Sequence, residues 1–303
     1  MIPEKIQIVE VGPRDGLQNE KEWVPTKTKI SLIEKLADAG LTKIEATSFV
    51  SPKWVPQLKD AHEVFTGIKR ISGVSYPVLT PNMKGFERAL EADAKEIAVF
   101  SAASEAFTQK NTNCSIEESI NRFRPVLEEA KKINIPVRGY ISCVLGCPYQ
   151  GNVAVEDVVN IAAKMTEMGC FQISLGDTIG AGTPVQAKRM VQKVSEKVPV
   201  SKLALHFHDT RGQALANLYA CLELGVTVID ASVAGLGGCP YAKGATGNVA
   251  TEDVVFMLHG MDIETGIDLN KLIETGRFIS GVLGRVPQSR VSVAALNNHL
   301  HKN

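Results

Sequence analysis

The chain has 303 residues, 44% of them hydrophobic and 22% charged, a globular composition that excludes disorder, collagen and coiled coil. Lys plus Arg equals Asp plus Glu at 33 each, so no electrostatic footprint argues for nucleic acid or for an anionic membrane surface. No apolar run reaches the roughly 18 residues of a membrane helix, and the six sparse cysteines read as reduced thiols, so a soluble, cytoplasmic protein is expected.

Apolar runs rich in β-branched residues recur at about 6–11, 43–49, 74–79, 96–101, 136–144, 170–176, 202–208 and 226–234. Helical periodicity fills the intervals. Thr26 to Ala39 repeats apolar residues at helical spacing and is followed by Gly40. Ser115 with Glu118 predicts a capping box, and Thr183-Pro184 an N-cap with proline at the first helical position. Three helix-to-strand junctions, starting at Gly40, Gly169 and Gly225, share Gly-x-x-x-Ile followed by a polar residue: Glu45, Ser174 and Asp230. A fourth, Asp93 to Ile97, lacks the glycine. Eight strands alternating with helices predict an α/β fold, a (β/α)8 TIM barrel, and no Gly-x-Gly-x-x-Gly or Walker loop supports a doubly wound sheet. The barrel is expected to span residues 1–267, with a C-terminal helical extension at 268–303 containing helices at 269–283 and 291–300.

In a barrel the chemistry gathers at the C-terminal ends of the strands. The first strand ends in Gly12-Pro13-Arg14-Asp15-Gly16, and the second carries Glu45 and Ser48. The sixth ends in Ser174-Leu175-Gly176-Asp177 and the seventh in His206-Phe207-His208. Strand alternation puts Ala204, His206 and His208 on one face, toward the barrel axis, and Leu203, Leu205 and Phe207 on the other. The two imidazoles are metal-ligand candidates or hydrogen-bonded loop anchors. Asp15, Arg14, Glu45 and Asp177 could equally be turn formers and ion pairs. After the eighth strand, Gly235 to Asn248 contains five glycines and Cys239; it reads as a surface loop, a phosphate cradle or a lid over the mouth. Cys143-x-x-x-Cys147 has no second pair, which argues against a zinc ribbon.

Together these motifs resemble the 3-hydroxy-3-methylglutaryl-CoA lyase family, within a superfamily of metal-dependent barrels that make or break carbon–carbon bonds. The superfamily pattern lies in Gly12-Pro13-Arg14-Asp15-Gly16-Leu17-Gln18 and in His206-x-His208-Asp209-Thr210; the lyase pattern lies in Thr47 to Lys53 and in Gly237 to Ala242. The resemblance implies Asp15, His206, His208 and Asn248 as ligands of a divalent metal, Mg²⁺ or Mn²⁺. It implies Arg14 as the group on the thioester-derived oxygen, Cys239 as a lid thiol that handles a proton, and Glu45 and Asp177 as acidic groups around the substrate. Arg14 and Ser48 are the substrate-binding candidates. The implied partner is an acyl-CoA, and the implied assembly a homodimer. The C-terminus, His299 to Asn303, lacks the regulatory cysteine of animal members. Two other readings stand beside this one: a related aldolase or synthase acting on a 2-oxo acid, and a non-catalytic barrel that binds metal or acyl-CoA.

Overall fold

The computed structural model describes residues 2–237 and 247–300, the side chains of 297–300 excepted. Among the described residues nine parallel strands form one sheet: β1 Gln7–Glu10, β2 Lys43–Ile44, β3 Thr47–Ser48, β4 Val78–Leu79, β5 Ile97–Ala102, β6 Val137–Ser142, β7 Gln172–Asp177, β8 Leu203–Phe207 and β9 Val228–Ala231. The sheet order is β2-β1-β9-β8-β7-β6-β5-β4-β3. β2 and β3 are halves of one stave, parted only by Glu45 and Ala46. The Glu45 N–H donates to the Glu10 carbonyl at 2.8 Å on one side; Ile44 and Ala46 donate to the Ser75 and Pro77 carbonyls, both at 3.0 Å, on the other. That stave therefore bonds both neighbours, and the sheet closes into an eight-staved barrel. Each predicted run contains its strand, except that β5 and β7 end one residue beyond theirs, at Ala102 and Asp177.

The junction motif has a conformational cause. Gly40, Gly169 and Gly225 have φ of 99°, 110° and 88°, a region that side chains other than glycine rarely enter. Asp93 takes the same role without glycine, at φ 65°, and aspartate is among the few residues that tolerate it. Both predicted caps form. Ser115 Oγ accepts from the Glu118 N–H at 3.1 Å while Glu118 Oε2 accepts from the Ser115 N–H at 2.8 Å. Thr183 and Gln186 make the second box, with Pro184 at the first helical position.

Burial divides as a barrel requires. Leu203, Leu205 and Phe207 join the large apolar layer between sheet and helices, whereas Ala204 packs with Val9, Val11 and Val228 in a small cluster inside the barrel. The helices Leu269–Val282 and Arg290–Leu300 follow the barrel, and the first packs against Thr26–Asp38 and Thr251–His259. No helix among the described residues is long and apolar enough to cross a membrane.

Candidate active site

Two polar layers occupy the upper barrel. The lower is anchored by Asp230 on β9, which the strand pairing sets beside His206. Arg138 on β6 grips its carboxylate with both terminal nitrogens, at 3.0 and 2.6 Å, and Ser174 Oγ donates to Oδ2 at 2.7 Å. Arg138 also donates to Gln172 Oε1 at 2.7 Å and to the Tyr140 hydroxyl at 2.8 Å. Burial alone would push the Asp230 carboxyl up, but the guanidinium beside it and the His206 contact hold it well below the carboxylate range.

The upper layer faces a cavity of about 420 Å³ lined by Arg14, Asp15, Tyr140, His206 and His208 among others. Five backbone residues, Gly12 to Gly16, coil in a single π-type turn after β1 and carry Arg14 and Asp15 over the barrel axis. Arg14 Nε donates to Glu45 Oε2 at 2.7 Å and NH1 to Asp15 Oδ1 at 2.6 Å; its guanidinium lies 5.3 Å from the centre of the Tyr140 ring. Burial works against that charge, but Glu45 and Asp15 overcome it and keep the arginine protonated. Glu45 is itself raised, because full burial outweighs its arginine partner. Asp15 also accepts from Gln18 at 2.9 Å and from Asn248 Nδ2 at 2.8 Å. Arg14 and the two histidines outweigh burial and bring its carboxyl down to about 2.

Ligand atoms of Asp15, His206 and His208 all lie within 4.8 Å of one another. His206 Nδ1 is 3.3 Å from Asp230 Oδ2 while Nε2 is 3.8 Å from Asp15 Oδ2, so the lower layer orients the ring and the upper layer meets its other nitrogen. His208 is held near the neutral form, its pKa lowered to about 4 by burial and then by His206. Its Nδ1 is buried and has no hydrogen-bond partner among the described residues. A carboxylate and two imidazoles, one with a spare buried nitrogen, fit a divalent cation. Asn248 reaches this cluster through its amide nitrogen, which also donates to the Leu236 carbonyl at 3.2 Å.

The structure thus brings together Arg14, Asp15, Glu45, His206, His208 and Asn248. Gly176 and Thr178 line the cavity, but Asp177 turns its oxygens to the Ala181 and Gly182 amides, at 3.1 and 2.8 Å, bracing the turn behind it. Ser48 is likewise engaged elsewhere: its hydroxyl donates to the Leu79 carbonyl at 3.2 Å and accepts from the Val50 N–H at 3.3 Å. Cys239 lies outside the described residues. Sequence reasoning missed Arg138, Tyr140 and Gln172. The signal was present, as polar residues spaced by two within runs otherwise read as apolar strand.

A closed barrel with a charged, partly unsatisfied cluster at the C-terminal ends of its strands defines an enzyme of the barrel class. A family model described as HMGL-like matches residues 5–279, and the chain belongs to that family. The chicken (Gallus gallus) mitochondrial hydroxymethylglutaryl-CoA lyase is 61% identical over 293 residues, covering 97% of this chain and 98% of that one. The solved hydroxymethylglutaryl-CoA lyase of Pseudomonas aeruginosa superimposes with a TM-score of 0.96 at 56% identity, over 98% and 99% of the two chains. That of Acinetobacter baumannii, solved with coenzyme A and 3-methylmalate, gives 0.92 at 40% identity, over 96% and 95%.

Proposed function

We propose that the protein cleaves 3-hydroxy-3-methylglutaryl-CoA to acetyl-CoA and acetoacetate, using Mg²⁺ or Mn²⁺ held by Asp15, His206 and His208 with Asn248 beside them. The observation that carries this reading is the convergence of those three ligand atoms on one cavity, with a buried imidazole nitrogen left over. Identity to named lyases selects the substrate, and the coenzyme A complex of the Acinetobacter relative supports an acyl-CoA. Bound there, the cation supplies Lewis acidity toward the substrate's oxygens.

The chain's own residues account for the rest. Cleavage removes the hydroxyl proton, turns that carbon into the ketone of acetoacetate, and passes the carbon–carbon electron pair to the thioester as an enolate. Arg14 is fixed by Glu45 and Asp15 through Nε and NH1, which leaves NH2 to donate to the enolate oxygen. His206 faces the cavity and would hold the cation, whereas Asp177 turns away from it. Protonation of the enolate carbon falls to Cys239, because a thiol of reference pKa, ~8.5, is largely protonated at neutral pH.

Purified protein with Mg²⁺ and 3-hydroxy-3-methylglutaryl-CoA is expected to yield acetoacetate and acetyl-CoA in equal amounts. A chelator should stop the reaction and added Mn²⁺ restore it. No acetoacetate with either metal would refute the assignment, and turnover indifferent to chelation would refute the role of the cation.

A further inference from the structure

The Cys143-x-x-x-Cys147 pair sits on the turn that follows β6. Three donors converge on one sulfur. Ser104 Oγ lies 2.9 Å from Cys147 Sγ, and the N–H groups of Tyr149 and Gln150 donate to it at 3.4 and 3.5 Å. The Ser104 hydroxyl has a single proton and a competing acceptor, Gln150 Oε1 at 2.7 Å. A neutral thiol is a weak acceptor, so this convergence matches a thiolate, which attracts the hydroxyl proton far more strongly.

The two sulfurs are tuned in opposite directions. Burial pushes the Cys143 thiol far up, while the donors around Cys147 outweigh its burial and hold it below the ordinary thiol value. Cys170 and Cys221, buried without such donors, are pushed up to about 12. Both members of the pair are buried beside Ala102 and Phe107, but the turn covering Cys147, from Tyr149 to Asn152, is exposed. That cover admits a small oxidant more readily than a bulky reagent.

We propose that Cys143 and Cys147 form a peroxide-reactive dithiol that closes to an intrachain disulfide. The Cys147 thiolate attacks the terminal oxygen of a hydroperoxide. The S–O bond forms, the O–O bond breaks, and the departing oxygen takes a proton to leave as water or an alcohol. Cys147 is then a sulfenic acid, oxidised by two electrons. Cys143 attacks that sulfur as a thiolate; the S–S bond forms, the S–O bond breaks, and hydroxide leaves as water with the proton Cys143 gives up. Two thiols and one hydroperoxide give one disulfide, one water and one further water or alcohol. Both cysteines belong to one small buried cluster with Ala102 and Phe107, so closure joins side chains that already pack together. The Cys143 N–H donates to Thr178 Oγ1 at 2.8 Å, and Thr178 lines the catalytic cavity, so the dithiol stands one hydrogen bond from the cavity wall.

Trypsin cutting after Arg138 and Lys164 releases residues 139–164, a peptide that holds both cysteines and no other. The full-length protein, treated with hydrogen peroxide and then alkylated with iodoacetamide in denaturant, should yield that peptide unlabelled and lighter by two hydrogens. Dithiothreitol before alkylation should return it doubly labelled. In Cys143→Ser the sulfenic acid cannot be resolved, and dimedone should mark Cys147. Ser104→Ala should slow the oxidation on the order of tenfold, the worth of one charge-assisted hydrogen bond. A doubly labelled 139–164 peptide from wild-type protein, recovered after peroxide has oxidised other cysteines, would overturn the proposal. That readout needs no variant to fold. The absence of a dimedone adduct on Cys147 in folded Cys143→Ser would overturn it independently.

Discussion

The two polar layers of the barrel use the same residue types and are built to opposite rules. In the lower layer both oxygens of Asp230 are taken, and Arg138 donates in four hydrogen bonds. In the upper layer capacity is left open: among the described residues His208 Nδ1 and Glu45 Oε1 are buried without partners, and Arg14 bonds through Nε and NH1. A buried polar group without a partner costs stability. The contrast teaches that the lower layer is scaffold and the upper layer is held ready for something that is not protein.

Breaking the scaffold should do the most damage. Asp230→Ala strands the buried Arg138 charge and is expected to cost about 3–5 kcal/mol in urea unfolding, the typical penalty for removing one partner of a buried pair. A loss under about 1 kcal/mol, a surface-pair value, would show that water reaches Arg138 and the layer is not sealed. Arg14→Gln tests the other side of the comparison. If Arg14 acts mainly on charge that develops in the transition state, kcat should fall ~10²–10³-fold with a smaller change in KM. A raised KM at unchanged kcat would make it a ground-state anchor.

The smallest effect sharpens the boundary of the scaffold. Glu10 and Glu252 are fully buried beside the strand-to-loop segment Val233–Gly235, and burial outweighs their hydrogen bonds, raising them to about 7 and about 8. Both folded values exceed the ordinary 4.5. The folded state therefore binds more protons than the unfolded chain between about pH 4.5 and 8, and this contribution to stability is lost as pH rises through that window. Glu252→Gln should flatten the slope of unfolding free energy against pH there. An unchanged slope would place the titration elsewhere.

The fold was legible because its signals are local. Strand runs, caps and junction residues each depend on a few neighbouring positions, and even the junction without glycine kept its conformation through Asp93. The upper layer was legible because Arg14-Asp15 and His206-x-His208 are compact motifs. The lower layer was not, since Arg138 meets Gln172 and Asp230 across 34 and 92 residues of sequence. Those contacts exist only once the barrel has closed. One clue was in hand: Glu45, Ser174 and Asp230 each follow the isoleucine of the junction motif, and all three carry polar contacts inside the barrel. Asp177 sits one position off the inward-facing register. Side chains alternate along a strand, so with Ser174 and Gly176 facing the axis, Asp177 faces away.

The central claim is that the open capacity of the upper layer belongs to a divalent cation. Titrating Mn²⁺ into the wild-type protein, with free ion followed by electron paramagnetic resonance, tests it without relying on turnover. One site per chain is predicted, weakened at least about tenfold in folded His208→Ala, the size of effect expected even for losing an outer-shell partner of a ligand. Folded His208→Ala binding Mn²⁺ as tightly as wild type would contradict the account.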